Sequence, residues 1–123
     1  MHLVCNLAGT PVACDQCYNS SMNVHKVTSQ IKKVSDTYAK KFGIRRDSNW
    51  YLLKLQEEMG ELTQSYLMLT GRGRKKDKTK EQITENFHKE MADVFCHVLL
   101  LAKHHKINLE KEVAEKWLIW NKD

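Results

Sequence analysis

Apolar residues recur every three or four positions through most of residues 24–120, which is the spacing of amphipathic helices. The first predicted helix ends at about Phe42, before Gly43, a residue type that commonly terminates helices. Further helices are predicted at about 49–70, 80–105 and 109–120. We therefore predict an all-α protein, a four-helix bundle that assembles as a homo-oligomer because its long helices carry broad apolar faces.

The helix starts carry residues that cap helices well. Asp47 or Ser48 is placed to cap the second helix, Thr79 with Gln82 forms a capping-box pattern for the third, and Asn108 precedes the fourth. The spacing also predicts which residues face the core. They are Val24, Val27, Ile31, Val34, Tyr38 and Phe42; then Leu52, Leu55, Met59, Leu62, Tyr66 and Leu69; then Phe87, Met91, Val94, Val98, Leu101 and Ala102; and finally Leu109, Val113, Trp117 and Trp120.

The charge of the chain is concentrated in one predicted loop. The formal net charge over 123 residues is +5, and residues 72–80 account for all of it, with six basic side chains and one aspartate. A basic protein favours phosphate-bearing partners. Here that preference is local rather than spread over the surface.

Residues 1–21 show no helical periodicity, and we interpret them as an irregular extension that precedes a helical domain at 22–123. Cys14 and Cys17 form a CxxC that could be half of a zinc site with Cys5 or a histidine, although free thiols in a reducing cytoplasm are favoured. The extension lacks the basic and long apolar regions of a signal peptide. The longest apolar run, 94–102, is too short to span a bilayer, so we expect a cytoplasmic protein with no membrane partner.

Two pairs of acidic residues lie inside the predicted helices. Glu58 and Glu61 are neighbours on one face of the second helix, and Glu90 and Asp93 are spaced in the same way on the third. Glutamates on helices usually lie on solvated faces, but these flank the apolar stripes, where unpaired charges are costly. The mid-helix glycine, Gly60, also costs stability unless a ligand or a neighbouring helix needs the space.

The ligand types favour one class of metal ion. Carboxylates alone suit Mg²⁺, with Mn²⁺ as a possible substitute, rather than zinc or iron. A di-iron bundle would need Glu-x-x-His pairs, whereas Asp93 follows Glu90 at that spacing and His97 lies one turn further on. We expect His97, like His104 and His105, to be a surface or satisfied core residue.

The pattern Glu57-Glu58-x-x-Glu61, followed after residues 62–89 by Glu90-x-x-Asp93, resembles the signature of the MazG-like nucleotide pyrophosphohydrolases of the all-α NTP pyrophosphatase superfamily. The resemblance covers about residues 25–121. It implies Mg²⁺-dependent cleavage of a nucleoside triphosphate, often a deoxynucleotide, between the α- and β-phosphates. The products are a nucleoside monophosphate and pyrophosphate. The role that the resemblance implies for the protein is nucleotide-pool house-cleaning.

The resemblance also assigns roles to residues. Glu58, Glu61, Glu90 and Asp93 would hold Mg²⁺, and the catalytic positions would be Glu57 and Glu58, with Glu57 either a metal ligand or a base that orients water. Short chains of the superfamily form homodimers or dimers of dimers, with the site completed across the interface.

Five residues are candidates for substrate binding. Lys54 lies one turn before Glu58 and either touches a phosphate or forms an intrahelical ion pair. Arg72 and Arg74 begin the basic loop, which either clamps the leaving pyrophosphate or is simply solvated. Lys116 and Asn121 lie where family members often carry such residues, though their spacing matches imperfectly.

Two other functions remain open from the sequence. Phosphoribosyl-ATP pyrophosphohydrolase shares the fold and the acidic residues of the family. A non-enzymatic nucleic-acid-binding helical module would use the basic loop, but it leaves both acidic pairs unexplained, since carboxylates repel phosphates. We therefore do not expect a nucleic-acid partner.

Overall fold

A computed structural model describes residues 23–122 of the chain. This part consists of helices, with no strand among the described residues, so the prediction of an all-α fold is confirmed. The elements are α1 (Val24–Phe42), α2 (Ser48–Leu69), α3 (Lys80–His104), α4 (Leu109–Lys116) and a 3₁₀ turn (Leu118–Trp120). The predicted N-terminal extension, with its three cysteines, lies outside the described residues.

The helix boundaries follow from local capping. Asp47 accepts a hydrogen bond from the Trp50 backbone N–H at 2.8 Å, which identifies it as the N-cap of α2. Thr79 and Gln82 form the reciprocal capping box predicted for α3. After α1, Gly43 takes a left-handed conformation with φ of 63°, which lets its N–H bond the last carbonyls of the helix.

Helices α2 and α3 form an antiparallel pair that makes most of the contacts between helices. The Ser48 hydroxyl lies 2.9 Å from His104 Nε2, which brings the start of α2 to the end of α3. The Tyr51 ring stacks on the His104 ring with centroids 4.4 Å apart. Helix α1 packs against α3. The buried apolar residues of the described part of the chain are few: Ala39, Ile83, Leu99, Leu100 and Ala102.

The side chain of Arg46 contacts both α1 and the start of α2 and so links the two helices. Its guanidinium donates to the Ser35 hydroxyl at 2.6 Å and to the Asp36 carboxylate at 2.5 Å, and its side chain is mostly buried. It also lies over the Trp50 ring, 5.9 Å from the centroid. Charge-assisted hydrogen bonds of this kind fix geometry as well as adding stability.

The prediction of the core face of α2 is wrong for most of its residues. Leu52, Met59, Tyr66 and Leu69 are exposed, and the buried residues of the helix are Glu58 and Ser65. The face of α2 that packs on α3 therefore carries a carboxylate and a small hydroxyl, and the apolar stripe lies beside it. Similar corrections apply to Val34, Tyr38, Phe42 and Met91, which are also exposed.

The fourth helix differs from its prediction in length and orientation. It ends at Lys116 rather than near Trp120, and Val113, Trp117 and Trp120 are exposed rather than inward. The contacts of the eight-residue α4 are mainly with the 3₁₀ turn that follows it, and Leu109 at its start is half-buried beside a cavity that Val24 and Leu99 also line. None of the helices within residues 23–122 has the length and apolar character that a membrane-spanning segment needs.

Candidate metal centre

Three carboxylates from α2 and α3 converge between the two helices. One oxygen each of Glu58, Glu90 and Asp93 lies within 4.8 Å of the other two. The antiparallel packing explains this arrangement, because the acidic residues lie on the facing sides of the paired helices. The structure thus brings together three of the four residues that the sequence suggested as metal ligands.

Glu61, the fourth predicted ligand, is exposed and lies at the edge of this cluster. It still acts on the cluster electrostatically. Burial first, and then the Glu61 charge, raise the pKa of Glu58 to about 7. The same two causes, in the same order, raise the pKa of Glu90 above its usual range. Glu61 is therefore close enough to join a shared ligand set.

Two carboxylate oxygens of the cluster lack the hydrogen bonds that buried polar atoms need. Within the described residues, neither Glu58 Oε2 nor Glu90 Oε2 has a hydrogen-bond partner, although both atoms are buried. Such unsatisfied oxygens are destabilising, and a cation between them removes the penalty. The donor set fits a hard divalent cation, for which carboxylate oxygens are the usual ligands. It does not by itself distinguish Mg²⁺ from similar ions.

Lys54 supplies the nearest positive charge. Its ammonium lies 3.1 Å from Glu57 Oε2 and 3.7 Å from Glu58 Oε1, so the predicted intrahelical ion pair is present. Burial lowers the pKa of Lys54, but the hydrogen bond and charge of Glu57 outweigh it and raise the value. Glu57 itself is exposed and lies outside the carboxylate cluster.

His97 is the functional candidate that sequence reasoning missed. It is 7% exposed, and its Nε2 lies 3.7 Å from Glu58 Oε1. Its Nδ1 is buried and has no hydrogen-bond partner among the described residues, which costs about 1–3 kcal/mol for a neutral polar group. Burial, followed by the charge of Lys54, lowers the pKa of this imidazole. The available signal was its position one turn after Asp93, on the same helix face.

A cavity of about 120 Å³ adjoins the cluster. It lies where α1, α2 and α3 meet, and each helix contributes one face to its lining. The lining residues are Ile31, Ser35 and Tyr38 from α1; Trp50, Lys54 and Glu58 from α2; and Asp93, His97 and Leu100 from α3. A larger cavity of about 400 Å³, between the start of α1 and the end of α3, includes none of the carboxylates.

The remaining predicted substrate residues lie apart from the cluster. Arg72 and Arg74 are exposed in the loop between α2 and α3, and Lys116 and Asn121 are exposed at the C-terminal end. No hydrogen bond or ion pair within the described residues joins any of the four to a carboxylate of the cluster. Of the five predicted substrate-binding residues, the single chain therefore brings only Lys54 to the cluster among the described contacts.

Comparison of the chain with protein-family models, with curated proteins and with solved structures gave no match.

Proposed function

We propose that the protein is a Mg²⁺-dependent nucleoside triphosphate pyrophosphohydrolase of the MazG-like type, which releases a nucleoside monophosphate and pyrophosphate. One observation carries the proposal: the buried Glu58 and the half-buried Glu90 and Asp93 converge between α2 and α3, and two of their oxygens are buried without a hydrogen-bond partner among the described residues. A protein keeps such a group where a cation and its ligand are bound. The acidic signature at residues 57–93 supports the nucleotide assignment.

The chain's own residues take distinct roles in this proposal. Glu58, Glu90 and Asp93 hold the cation, and Glu61 completes the set from its edge. Divalent cations bound in this way neutralise charge on the phosphates and lower the pKa of an attacking water. Glu57 lies next to the ligands in sequence, pairs with Lys54 at 3.1 Å, and would orient that water as a base. No nucleophilic side chain is required.

Lys54 can serve the phosphates once the carboxylates are engaged elsewhere. In the structure its ammonium lies 3.1 Å from Glu57 Oε2 and 3.7 Å from Glu58 Oε1. When a cation takes up the Glu58 charge, the attraction between Lys54 and that carboxylate weakens, and the ammonium is free to contact a phosphate oxygen. Arg72 and Arg74 contact the leaving pyrophosphate only if their loop closes over the site.

We further propose that the protein functions as a homodimer or a dimer of dimers. Many large apolar side chains are exposed on the single chain, and the seven on α2 and α3 form the exposed apolar set: Leu52, Leu53, Met59, Tyr66, Leu69, Met91 and Phe95. Exposed apolar residues in this number are typical of surfaces that bind another protein. The occupant that we propose is a second copy of this chain, because the resemblance to the MazG-like family implies a site completed across a subunit interface.

The function is tested by incubating the protein with the ribo- and deoxynucleoside triphosphates, with and without Mg²⁺. We expect Mg²⁺-dependent formation of monophosphate and pyrophosphate in equal amounts, with Mn²⁺ as a substitute. Release of orthophosphate, or activity that survives in Glu61→Gln and Asp93→Asn, contradicts the proposal. Including phosphoribosyl-ATP in the panel separates the histidine-biosynthetic alternative.

A further inference from the structure

The two oxygens of the Glu58 carboxylate lie in different surroundings. Oε1 is 3.7 Å from Nε2 of His97 and 3.7 Å from the ammonium of Lys54. Oε2 is buried and has no hydrogen-bond partner among the described residues, and the same is true of Oε2 of Glu90. Nitrogen groups therefore lie near one oxygen of Glu58, whereas the other oxygen is left without a donor, as a cation ligand would be.

His97 is held more firmly than Lys54. The side chain of His97 is 8% exposed, compared with 30% for Lys54. The Trp50 ring packs beside the imidazole with centroids 6.4 Å apart. Lys54 also pairs with Glu57, whose Oε2 is closer to the ammonium, at 3.1 Å. Packing therefore fixes the imidazole beside Glu58, while Lys54 is shared between two carboxylates and can turn toward a phosphate.

The imidazole acts on Glu58 through Nε2. Its other nitrogen, Nδ1, is buried and has no hydrogen-bond partner within residues 23–122. A proton on Nε2 lets the ring face a carboxylate oxygen as a donor, and both the neutral ring in that tautomer and the imidazolium carry this proton. At 3.7 Å the contact is electrostatic rather than a hydrogen bond. Between two buried side chains such a contact is stronger than in water, so it restrains the orientation of the carboxylate.

Resting on the metal site of the proposed function, we propose that His97 is a positioning residue for Glu58. Its Nε2–H faces Oε1 and so orients the carboxylate with Oε2 toward Glu90 and Asp93, where the cation is bound. Removing a group that orients a metal ligand commonly lowers metal affinity by about 10- to 100-fold. His97 lies one turn after Asp93, so α3 supplies both a ligand and the group that orients a ligand of α2.

Two substitutions of His97 separate its ring nitrogens. The amide nitrogen of a glutamine lies near the position of Nε2, whereas that of an asparagine lies near Nδ1, away from Glu58. We expect His97→Asn to weaken the binding of Mn²⁺ by about tenfold or more, and His97→Gln to retain most of the wild-type affinity. The affinity is measured without nucleotide, from the electron paramagnetic resonance signal of free Mn²⁺. His88→Asn, which changes an exposed histidine of the same helix, should bind Mn²⁺ as wild type does.

A double substitution tests whether His97 acts through Glu58 without any metal present. We expect His97→Asn to lower the melting temperature in EDTA more in the wild-type background than in the Glu58→Gln background, because the carboxylate that needs the donor is absent from the latter. A merely structural role for His97 predicts the same decrease in both backgrounds. If His97→Asn does not fold, His97→Gln carries the test, and a loss of Mn²⁺ affinity of about tenfold or more in that variant overturns the inference.

The outcomes distinguish this inference from the proposed function. An unchanged affinity in His97→Asn, an equal loss in His97→Asn and His97→Gln, or a wild-type protein that binds no Mn²⁺ overturns the inference even if the protein hydrolyses nucleotides. Binding of Mn²⁺ that depends on His97 in the expected way, without release of pyrophosphate from any nucleotide, contradicts the function and leaves the positioning role standing.

Discussion

Glu58 and Phe95 lie on neighbouring helices, yet their environments are the reverse of what their side chains favour. Glu58 is 7% exposed between α2 and α3, whereas Phe95 is 53% exposed on α3. The same contrast extends to their surroundings, since Glu90, Asp93 and His97 are also wholly or partly buried while the exposed apolar set remains in contact with solvent. Stability alone would favour the opposite arrangement.

The two departures have different physical explanations. Burying carboxylates without partners destabilises the single chain, and a bound cation relieves that cost. Fully burying an apolar side chain contributes ~1.5–3 kcal/mol relative to full exposure, and the proposed second copy would recover part of this for each side chain of the set. On the proposed function, a cation completes the inner region, formed by the carboxylate cluster, and a second copy of the chain completes the outer region, formed by the exposed apolar set. Each explanation is tested by substitutions that change one region and leave the other intact.

The largest effect is expected from neutralising the inner region. Glu58→Gln removes the charge of a proposed metal ligand, so we expect the rate of Mg²⁺-dependent pyrophosphate release to fall at least ~100-fold. This loss is larger than the one typically caused by replacing a residue that only orients a metal ligand. The same change removes a buried carboxylate, so the metal-free variant should melt at a higher temperature than wild type near pH 8. Opposite changes in activity and stability are typical of functional residues.

Glu85→Gln is the matched control for this experiment. It also neutralises a glutamate of the α2–α3 pair, but Glu85 is exposed and pairs with Lys89 at 3.0 Å. We expect activity close to wild type and a slightly lower melting temperature. A Glu58→Gln variant that keeps its activity, or that loses activity and stability together, would show that the inner region serves packing.

The next effect concerns the outer region. Phe95→Lys places a charge within the exposed apolar set, so we expect the molar mass in solution to fall toward the 14.4 kDa of one chain. Light scattering coupled to size-exclusion chromatography measures this change. Glu85→Lys adds a lysine on the same helix outside the set and should leave the assembly intact. If the wild-type protein is already monomeric in solution, the proposed homodimer is contradicted.

The sequence was sufficient to predict where the helices begin, but it was insufficient to predict which of their faces are buried. Caps such as Asp47, Thr79 with Gln82, and Asn108 are local, so their positions and the helix starts could be predicted. The burial of Leu52 or Met59 depends on which face of α2 turns toward α3, and apolar periodicity indicates the wrong face when acidic residues are the ones buried. His97 was missed for the same reason, because its importance depends on a cavity shared by three helices.

A smaller effect is expected in the pH dependence of the metal-free protein. Glu58 has a pKa of about 7 when folded and about 4.5 in its ordinary state. Between these values the folded chain holds a proton that the unfolded chain has released, so its contribution to stability is full below pH 4.5 and is lost as pH rises through 7. We expect the melting temperature in EDTA to fall over this window.

The contribution of Glu58 is isolated by subtraction. His97 acts in the opposite direction, because its lowered pKa makes the folded state gain stability as pH rises toward 6.5. The difference between wild type and Glu58→Gln at each pH cancels this term. Saturating Mg²⁺ should abolish the difference in slope, and a slope that is identical in both proteins without metal would contradict the raised pKa.

The smallest effect separates the two regions at a single residue, Gly60, in the middle of α2. A Cβ built at this position meets no atom within 4 Å among the described residues, so the helix pair does not require a glycine there. In one isolated chain, Gly60→Ala should therefore raise the free energy of unfolding by up to ~1 kcal/mol. Urea denaturation measures this gain, and the molar mass and the rate of pyrophosphate release are recorded for the same variant. If only the free energy of unfolding rises, the space beside Gly60 is filled by solvent. A lower molar mass shows that the second copy occupies this space. A lower rate of pyrophosphate release at unchanged molar mass shows that the substrate occupies it.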